Sequence, residues 1–295
     1  MDLENLVADM PYRALYEEGT RILMSSDPDA FREASLDARL LLEYVCESGI
    51  NTLLMEPDRP VSAEEAGKYK ELIMRRKNRE PLAYIVGNTD FMGLTFEVNR
   101  DVLIPEQDTE NLVEEIMKDV CSGDRILDLC TGSGCILLSL LHYSRDTSGI
   151  GTDLSPKALR TAERNAQKLG LSGRAEWRQG DLFDALGPQL PFDVIVSNPP
   201  YIRSDVIREL APEVKDHEPL MALDGGEDGL SFYKKIVPGA VSRLVTGGIL
   251  YLEIGYDQGK AVADLMKEAG YYDVRVIKDY GGNDRIVRGI RSVHQ

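Results

Sequence analysis

The chain has few residues of the kinds that build disulfide frameworks or metal clusters. Among its 295 residues there are four cysteines, three histidines and one tryptophan. The cysteines, at positions 46, 121, 130 and 135, form no Cys-x-x-Cys pair, and the histidines do not cluster. We therefore expect reduced thiols and no metal site. Reduced thiols are typical of the cytoplasm, so we also expect a cytoplasmic location.

Long apolar runs are missing as well. The longest strongly apolar stretch covers residues 135–141 and is far too short to cross a bilayer. The first residues, Met-Asp-Leu-Glu, are acidic and no apolar stretch follows them, so we expect neither a signal peptide nor a membrane partner. With 43% hydrophobic and 28% charged residues, the composition is typical of a globular protein and excludes a collagen or a disordered tail.

Positive charge is scarce, because 34 Lys and Arg residues stand against 50 Asp and Glu residues and give a net charge of −16. A duplex nucleic acid would be repelled by such a chain, and we expect no direct contact with nucleic acid. The run Met-Arg-Arg-Lys-Asn-Arg at 74–79 is the only candidate basic patch. We interpret it as a solvated helix end whose cations complement the helix dipole, with a nucleic-acid patch as the alternative.

Residues 1–80 predict a small helical bundle. Apolar residues recur at helical spacing over 12–24 and 36–45. A third helix is expected to begin after Ser62, because Ser62 and Glu65 have the spacing of a capping box. Pro81 ends this helical region.

Residues 81–105 predict a β-hairpin linker, with strands over 84–86 and 91–98 joined by a turn at Gly87-Asn88. From residue 106 to 295, short apolar β-branched runs alternate with helical segments. This alternation predicts an α/β domain with a mostly parallel sheet flanked by helices. The predicted strands cover 125–130, 148–153, 175–178, 193–197, 248–254 and 274–277, and the clearest helices cover 135–143 and 156–169.

A glycine-rich turn follows the first of these strands. Gly132 and Gly134 allow a tight turn and a close approach of the backbone to a ligand, and the following helix offers free N–H groups. A dinucleotide fingerprint has a third glycine, whereas this chain has Leu137 there, so the motif is weak evidence for NAD. Two carboxylates follow later strands. Asp153 is placed to accept the hydroxyls of a ribose, and Asp181, followed by Leu182, suits an adenine.

The most specific motif is Asn198-Pro199-Pro200-Tyr201, directly after the strand 193–197. The prolines restrict the backbone and remove two donors, which leaves carbonyl groups for a ligand. An amide nitrogen is a poor nucleophile because its lone pair is delocalised. If the Asn198 side-chain oxygen and a proline carbonyl each accept one N–H of such a nitrogen, its lone pair is aimed at one point. A sulfonium methyl group placed there could then be transferred by positioning alone.

Together with Asp-Leu-x-Thr-Gly-Ser-Gly, this motif resembles the class I S-adenosylmethionine-dependent methyltransferases that act on planar nitrogens. The chain is more closely similar to the peptide chain release factor glutamine methyltransferase family (PrmC/HemK). The similarity covers about residues 30–290, and its further motifs lie at 81–87, 102–105, 218–219, 222–230, 252–259 and 279–285.

The resemblance implies a Rossmann-like class I methyltransferase fold with a seven-stranded sheet, an N-terminal helical domain that helps to recognise a protein substrate, and a connecting hairpin. It implies transfer of a methyl group from S-adenosyl-L-methionine, giving S-adenosyl-L-homocysteine, to N5 of the glutamine in the Gly-Gly-Gln motif of bacterial class 1 release factors. The implied substrate-amide residues are Asn198, Pro199, Pro200 and Tyr201. The implied cofactor contacts are Cys130, Thr131, Gly132, Ser133, Gly134, Asp153, Asp181, Leu182 and Asn198.

One position departs from the family pattern. The family usually has arginine in the loop after the hairpin, where this chain has Glu106, and no role is carried over to that residue. Methylation of adenine N6 or guanine N2 in DNA or RNA is the alternative reading of the same chemistry. A non-catalytic adaptor and a nicotinamide-dependent oxidoreductase are further, less favoured alternatives. We expect Trp177 and the cysteines near the glycine-rich turn to serve packing.

Overall fold

The computed structural model describes residues 9–25, 34–187 and 191–292. These residues form two compact units, a helical unit and a sheet unit. The helical unit extends to Gly87 and also contains Pro212–His217, and the sheet unit contains Asn88–Ala211 and the chain from Glu218 onward. No helix in the described part of the chain is both long and apolar enough to span a membrane.

In chain order, the helices are α1 (Tyr12–Met24), α2 (Ala34–Val45), α3 (Thr52–Met55), α4 (Ala63–Lys77), α5 (Leu82–Val86), α6 (Gln107–Met117), α7 (Cys135–Tyr143), α8 (Pro156–Lys168), α9 (Pro212–Lys215), α10 (Leu220–Leu223), α11 (Tyr233–Val241) and α12 (Gly259–Glu268). The strands are β1 (Asn88–Phe91), β2 (Leu94–Glu97), β3 (Arg125–Leu129), β4 (Ser148–Asp153), β5 (Ala175–Gln179), β6 (Phe192–Ser197), β7 (Leu244–Glu253), β8 (Tyr271–Lys278) and β9 (Asp284–Arg291).

The helical unit is built on α1, α2 and α4, whose apolar faces meet in one core that includes Tyr12, Leu41 and Tyr69. The three predicted helices are confirmed. The capping box at the start of α4 is confirmed too, because the Ser62 hydroxyl accepts from the Glu65 amide and the Glu65 carboxylate accepts from the Ser62 amide. Two of the four unpaired N–H groups at this helix end are thereby satisfied.

The basic run lies at the end of α4, as expected, but the prediction that it is solvated is wrong. The Arg76 side chain is only 11% exposed and donates to Asp37 over 2.7 Å. Glu213, in the Pro212–His217 segment of the same unit, accepts from Arg76 over 3.2 Å and from Arg79 over 2.8 Å. Three of the cations are thus neutralised by acidic partners, since Arg75 also pairs with Glu80. Asp37 and Glu213 lie far from the basic run in sequence, so the local pattern of charges does not indicate these ion pairs.

The hairpin exists, but its predicted position is wrong. Residues 82–86 form the short helix α5, which ends at Gly87 with a φ of +81°. The hairpin consists of β1 and β2, and its turn is Met92-Gly93, where both φ values are positive. Two positive φ values are the signature of a two-residue turn that matches the twist of the strands. An apolar run as short as 84–86 is compatible with either helix or strand. In this chain the run is helical and packs against the core of the helical unit.

The sheet unit contains a seven-stranded sheet of order β5-β4-β3-β6-β7-β9-β8. The strands from β5 to β7 are parallel, whereas β9 is antiparallel to both β7 and β8. All six predicted strands are confirmed: β4 has the predicted bounds, and the other five have shifted ends. Strand β9 was not predicted from the residue pattern, because Arg285, Arg288 and Gly289 interrupt its apolar run. Since parallel strands end at one edge, the loops after β3, β4, β5 and β6 meet there.

Candidate active site

A cavity of about 720 Å³ lies at this edge of the sheet. Residues that follow four different strands line this cavity, and they include most of the predicted site residues. The predicted residues in the lining are Cys130, Thr131, Gly132, Ser133, Asp153, Asp181, Leu182, Asn198 and Pro200. The predicted residues Gly134, Pro199 and Tyr201 do not belong to the lining.

The glycine-rich turn after β3 has an unusual backbone. Cys130, Gly132 and Gly134 all have positive φ, of +59°, +56° and +79°. At Gly134 space is also short, because a Cβ atom would lie 2.9 Å from the Trp177 ring. Gly134 is therefore needed for backbone conformation and for packing under the turn, and Trp177 serves packing, as expected. A non-glycine residue with positive φ, such as Cys130, is a feature often found at binding sites.

A buried hydrogen bond supports the turn from below. The Thr131 hydroxyl donates to Asp128 Oδ2 over 2.6 Å. Asp128 has no exposed surface, and this burial raises the pKa of its carboxyl group to about 7. The bond ties the turn to the strand that leads into it, so the backbone N–H groups of the turn are held in fixed directions.

Asp153, at the end of β4, is held by two backbone amides. Its Oδ2 accepts from the Gly132 amide over 3.0 Å, and its Oδ1 accepts from the Ser155 amide over 2.8 Å. Burial raises the pKa of the carboxyl group, and these hydrogen bonds oppose that rise. A carboxylate has about four acceptor positions, so Asp153 keeps acceptor positions for hydroxyl groups of a ligand in the cavity.

Asp181 and Leu182 follow β5. Lys235 donates to Asp181 Oδ2 over 3.2 Å, and Leu182 begins a short 3-10 helix with a φ of +49°. Lys235 lies on α11, far away in sequence, and also lines the cavity. Lys235 was not predicted as a site residue, because nothing near it in the chain distinguishes it from a surface lysine.

The Asn-Pro-Pro-Tyr segment is fixed by partners from other elements. The Ser197 hydroxyl before it donates to the Leu129 carbonyl over 2.7 Å. The Asn198 side-chain nitrogen donates to the Thr109 hydroxyl over 3.3 Å. Beyond the prolines, the Tyr201 carbonyl accepts from Gln258 over 3.0 Å.

Other residues also pack tightly against the Asn-Pro-Pro-Tyr segment. A Cβ atom at Gly225 would lie only 2.7 Å from the Tyr201 Cα atom, so glycine is required there. Tyr201 packs against the core of the sheet unit, and its face is not presented to the cavity lining. Of the two proline residues, Pro200 reaches the cavity and Pro199 does not. Thr109, Gln258 and Gly225 contact this segment from distant parts of the chain and were not predicted.

A group of carboxyl side chains lies beside the cavity. Glu106, at the N-terminus of α6, belongs to the lining, and burial raises its pKa. Burial also raises the pKa of Glu218 to about 7 and that of Glu253 to about 8, and the Glu106 charge adds to both shifts. Arg285 provides positive charge here and pairs with Asp108 over 2.8 Å. In the described part of the chain, no group of three or more His, Cys, Asp or Glu side chains is arranged to hold a metal ion.

The fold and the site together define a class I methyltransferase. The chain resembles solved structures of this fold. A methyltransferase from Pyrococcus furiosus matches with a TM-score of 0.52 at 19% identity, over 69% of this chain and 91% of that one. The Thermus thermophilus 16S rRNA N2 G1207 methyltransferase matches with a TM-score of 0.50 at 18% identity, over 69% of this chain and 49% of that one. At such identities the likeness concerns the fold alone.

Comparison with known sequences identifies the family within this class. The PrmC N-terminal domain family matches residues 15–87, and the methyltransferase small domain family matches residues 105–213. Proteins named release factor glutamine methyltransferase are similar over nearly the whole length. The one from Moorella thermoacetica is 44% identical over 85% of this chain and 89% of its own. The one from Clostridium botulinum is 39% identical over 95% and 99%, and the one from Caulobacter vibrioides is 41% identical over 88% and 90%. The chain belongs to the release factor glutamine methyltransferase family.

Proposed function

We propose that this protein transfers a methyl group from S-adenosyl-L-methionine to the side-chain nitrogen N5 of the glutamine in the Gly-Gly-Gln motif of bacterial class 1 release factors, in the cytoplasm. Membership of the family supports the reaction. The observation that carries the proposal is the position of Asn198, whose side chain lines the same cavity as the glycine-rich turn and Asp153. The proposed amide-binding residue and the proposed nucleoside-binding residues therefore line one cavity.

The cavity fits this cofactor. Asp153 keeps free acceptor positions for ribose hydroxyls, because only one backbone amide occupies each of its oxygens. Asp181 and Leu182 offer the carboxylate and apolar surface that suit an adenine, and the turn at residues 130–134 offers backbone groups. When bound, S-adenosylmethionine supplies an electrophilic methyl group on a sulfonium centre.

The protein has to orient the acceptor amide. We infer that the Asn198 side-chain oxygen accepts one N–H of the substrate glutamine, and that a carbonyl of the Pro199-Pro200 pair accepts the other. With both N–H groups fixed, the nitrogen lone pair has one direction, and the amide needs no strong base to act as a nucleophile. The Asn198 oxygen also lies close to the positive charge that develops on the nitrogen, and stabilises it.

We propose that the helical unit recognises the release factor. Three large apolar side chains of this unit, Ile50, Leu54 and Met55, are at least 60% exposed on and next to α3. Such a patch is typical of a protein contact site. Replacing all three by serine should raise the KM for the release factor with little change in affinity for S-adenosylhomocysteine, whereas Tyr272→Ser on β8 should change neither. An unaltered KM in the triple variant would exclude this patch.

The function is tested by incubating the protein with radiolabelled S-adenosylmethionine and one of three substrates. These are a class 1 release factor, the same factor with its Gly-Gly-Gln glutamine replaced by alanine, and a mixture of DNA and RNA. We expect label only in the unaltered release factor. Label in the nucleic acid would support the alternative, methylation of adenine N6 or guanine N2. That alternative is disfavoured by the acidic charge of the chain and by the pairing of Arg75, Arg76 and Arg79 with acidic side chains.

A further inference from the structure

One carboxyl side chain in the cavity has no part in the function described so far. Glu106 belongs to the cavity lining and is accessible to solvent there. It is the N-cap residue of α6, but its side chain makes no capping hydrogen bond with that helix. In the part of the chain that the structure describes, no other group forms a hydrogen bond or an ion pair with the Glu106 carboxylate. Its charge is therefore available to a ligand in the cavity.

The other four carboxylates of the lining each have a partner in the protein. Two of them form ion pairs with a lysine over 3.2 Å, namely Asp101 and Asp181. The other two accept hydrogen bonds from backbone amides, namely Asp153 and Asp224. Among the described residues, the lysine paired with Asp181 is also the only lysine or arginine that lines the cavity. The lining thus has an excess of negative charge, and Glu106 contributes the part of it that no direct partner offsets.

The positive charge closest in effect to Glu106 already has partners. Arg285 lowers the pKa of Glu106, but its guanidinium group pairs with Asp108 over 2.8 Å and with Asp279 over 3.1 Å. Burial and the charge of Asp108 act in the other direction and raise the pKa of Glu106. The charged form of this carboxyl group is therefore disfavoured in the protein alone. A cation bound in the cavity would stabilise it.

Glu106 belongs to the end of the cavity where methyl transfer is proposed. Thr109 lies one helical turn further along α6, and its hydroxyl oxygen accepts from the Asn198 side-chain nitrogen over 3.3 Å. The start of α6 is therefore beside the residue that is proposed to hold the substrate amide. A methyl donor has to bring its sulfonium charge to this amide.

The methyl donor and its product differ by one positive charge. Both have the same adenosine, ammonium and carboxylate groups, and only S-adenosylmethionine has a sulfonium methyl group. When the methyl group leaves, the electron pair of the broken S–C bond stays on sulfur, and S-adenosylhomocysteine is a neutral thioether at that atom. An unpaired carboxylate in the cavity therefore attracts the donor more strongly than the product.

We propose that Glu106 is a specificity-determining residue whose negative charge makes the cavity bind S-adenosylmethionine in preference to S-adenosylhomocysteine. This inference rests on the proposed function, because it concerns the methyl donor assigned there. Its consequence is weaker inhibition by the product. It also gives a role to the position at which the chain departs from the pattern of its family.

The test measures the Kd of each compound by isothermal titration calorimetry, with the full chain and without release factor. Glu106→Gln keeps the side-chain shape and removes the charge. We expect it to raise the Kd for S-adenosylmethionine about fivefold to tenfold, with little change in the Kd for S-adenosylhomocysteine. Glu106→Asp keeps the charge and should keep most of the preference. Because the Glu106 side chain makes no hydrogen bond within the described structure, both variants should melt like wild type.

The matched control is Glu268→Gln, at an exposed glutamate of α12 that lies outside the cavity lining. It removes the same charge and should change neither Kd. An unchanged ratio of the two Kd values in Glu106→Gln, or the same shift of the ratio in Glu268→Gln, would overturn the inference. If wild type binds both compounds and Glu106→Gln keeps their ratio, only this inference fails. If wild type binds neither compound, the proposed function fails as well.

Discussion

The Gly132 amide donates a hydrogen bond to the Asp153 carboxylate over 3.0 Å. This bond joins the turn after β3 to the end of β4, the two places where the sequence carries its glycine and acidic motifs. The turn therefore positions the carboxylate, and the carboxylate stabilises the positive-φ backbone of the turn, so the two motifs act as one unit.

Asp153→Ala should weaken binding of S-adenosylhomocysteine. The ribose hydroxyls lose a charged acceptor, and the Gly132 amide loses its partner, at a cost of about 1.5–3 kcal/mol in binding free energy. Isothermal titration calorimetry measures this change. Asp58→Ala, at an exposed aspartate of the helical unit, is the control and should bind like wild type. Tight binding of NAD, with no response to S-adenosylhomocysteine, would contradict the assignment of the cavity.

Asn198→Ala should lower kcat for release factor methylation by about 10²–10³-fold, because the substrate nitrogen loses the acceptor that orients it. Asn198→Asp keeps an acceptor, but it removes the donor to Thr109 and adds a charge. Its kcat should therefore also be lower than that of wild type. Steady-state transfer of labelled methyl groups gives both values, and thermal melting shows that the fold is kept. Near-normal turnover of Asn198→Ala would refute the orienting role.

Arg76→Met should lower the free energy of unfolding by about 3 kcal/mol, because Asp37 is left without its buried cation and Glu213 keeps only its pair with Arg79. Denaturant unfolding followed by circular dichroism measures the loss. Arg160→Met, at an exposed position of α8, is the matched control and should change stability little. The double variant Arg76→Met with Asp37→Leu should recover part of the loss. Without such recovery, the ion pair is not the cause.

The buried carboxyl groups predict that stability falls as pH rises. The pKa of Glu253 is raised by burial to about 8, so in the folded protein it stays protonated at pH values where the unfolded chain has released that proton. A folded-state pKa above the unfolded value gives stability that is present below about pH 4.5 and is lost as pH rises through about 8.

The charged groups that act on Glu253 are Glu106 and Asp108, which raise its pKa, and Arg285, which lowers it. Glu253→Gln cannot ionise, so the decline in unfolding free energy between pH 5 and pH 8 should be shallower in this variant than in wild type. Urea titrations at a series of pH values compare the two slopes. Identical slopes would show that Glu253 does not titrate in this range.

Local patterns predicted much of the fold. The capping box of α4 and the helix α7 are encoded by neighbouring residues, whose spacing determines helix ends and apolar faces. The strands β3, β4 and β6 were found because buried parallel strands need continuous apolar runs. The residues that follow these strands were predicted to lie close together, because parallel strands present their carboxyl ends at one edge of the sheet.

The sequence by itself therefore determined the main helices of the helical unit, six of the seven strands of the large sheet, and the residues that follow those strands. Only the tertiary structure decided which distant residues contact these side chains: Thr109 contacts Asn198, and Glu213 pairs with Arg76. It also decided that residues 84–86 are helical and that the hairpin turns at Met92-Gly93. Periodicity and caps depend on neighbours within about four residues, whereas hydrogen bonds and ion pairs between separate elements depend on how those elements pack, for which one sequence carries no local signal.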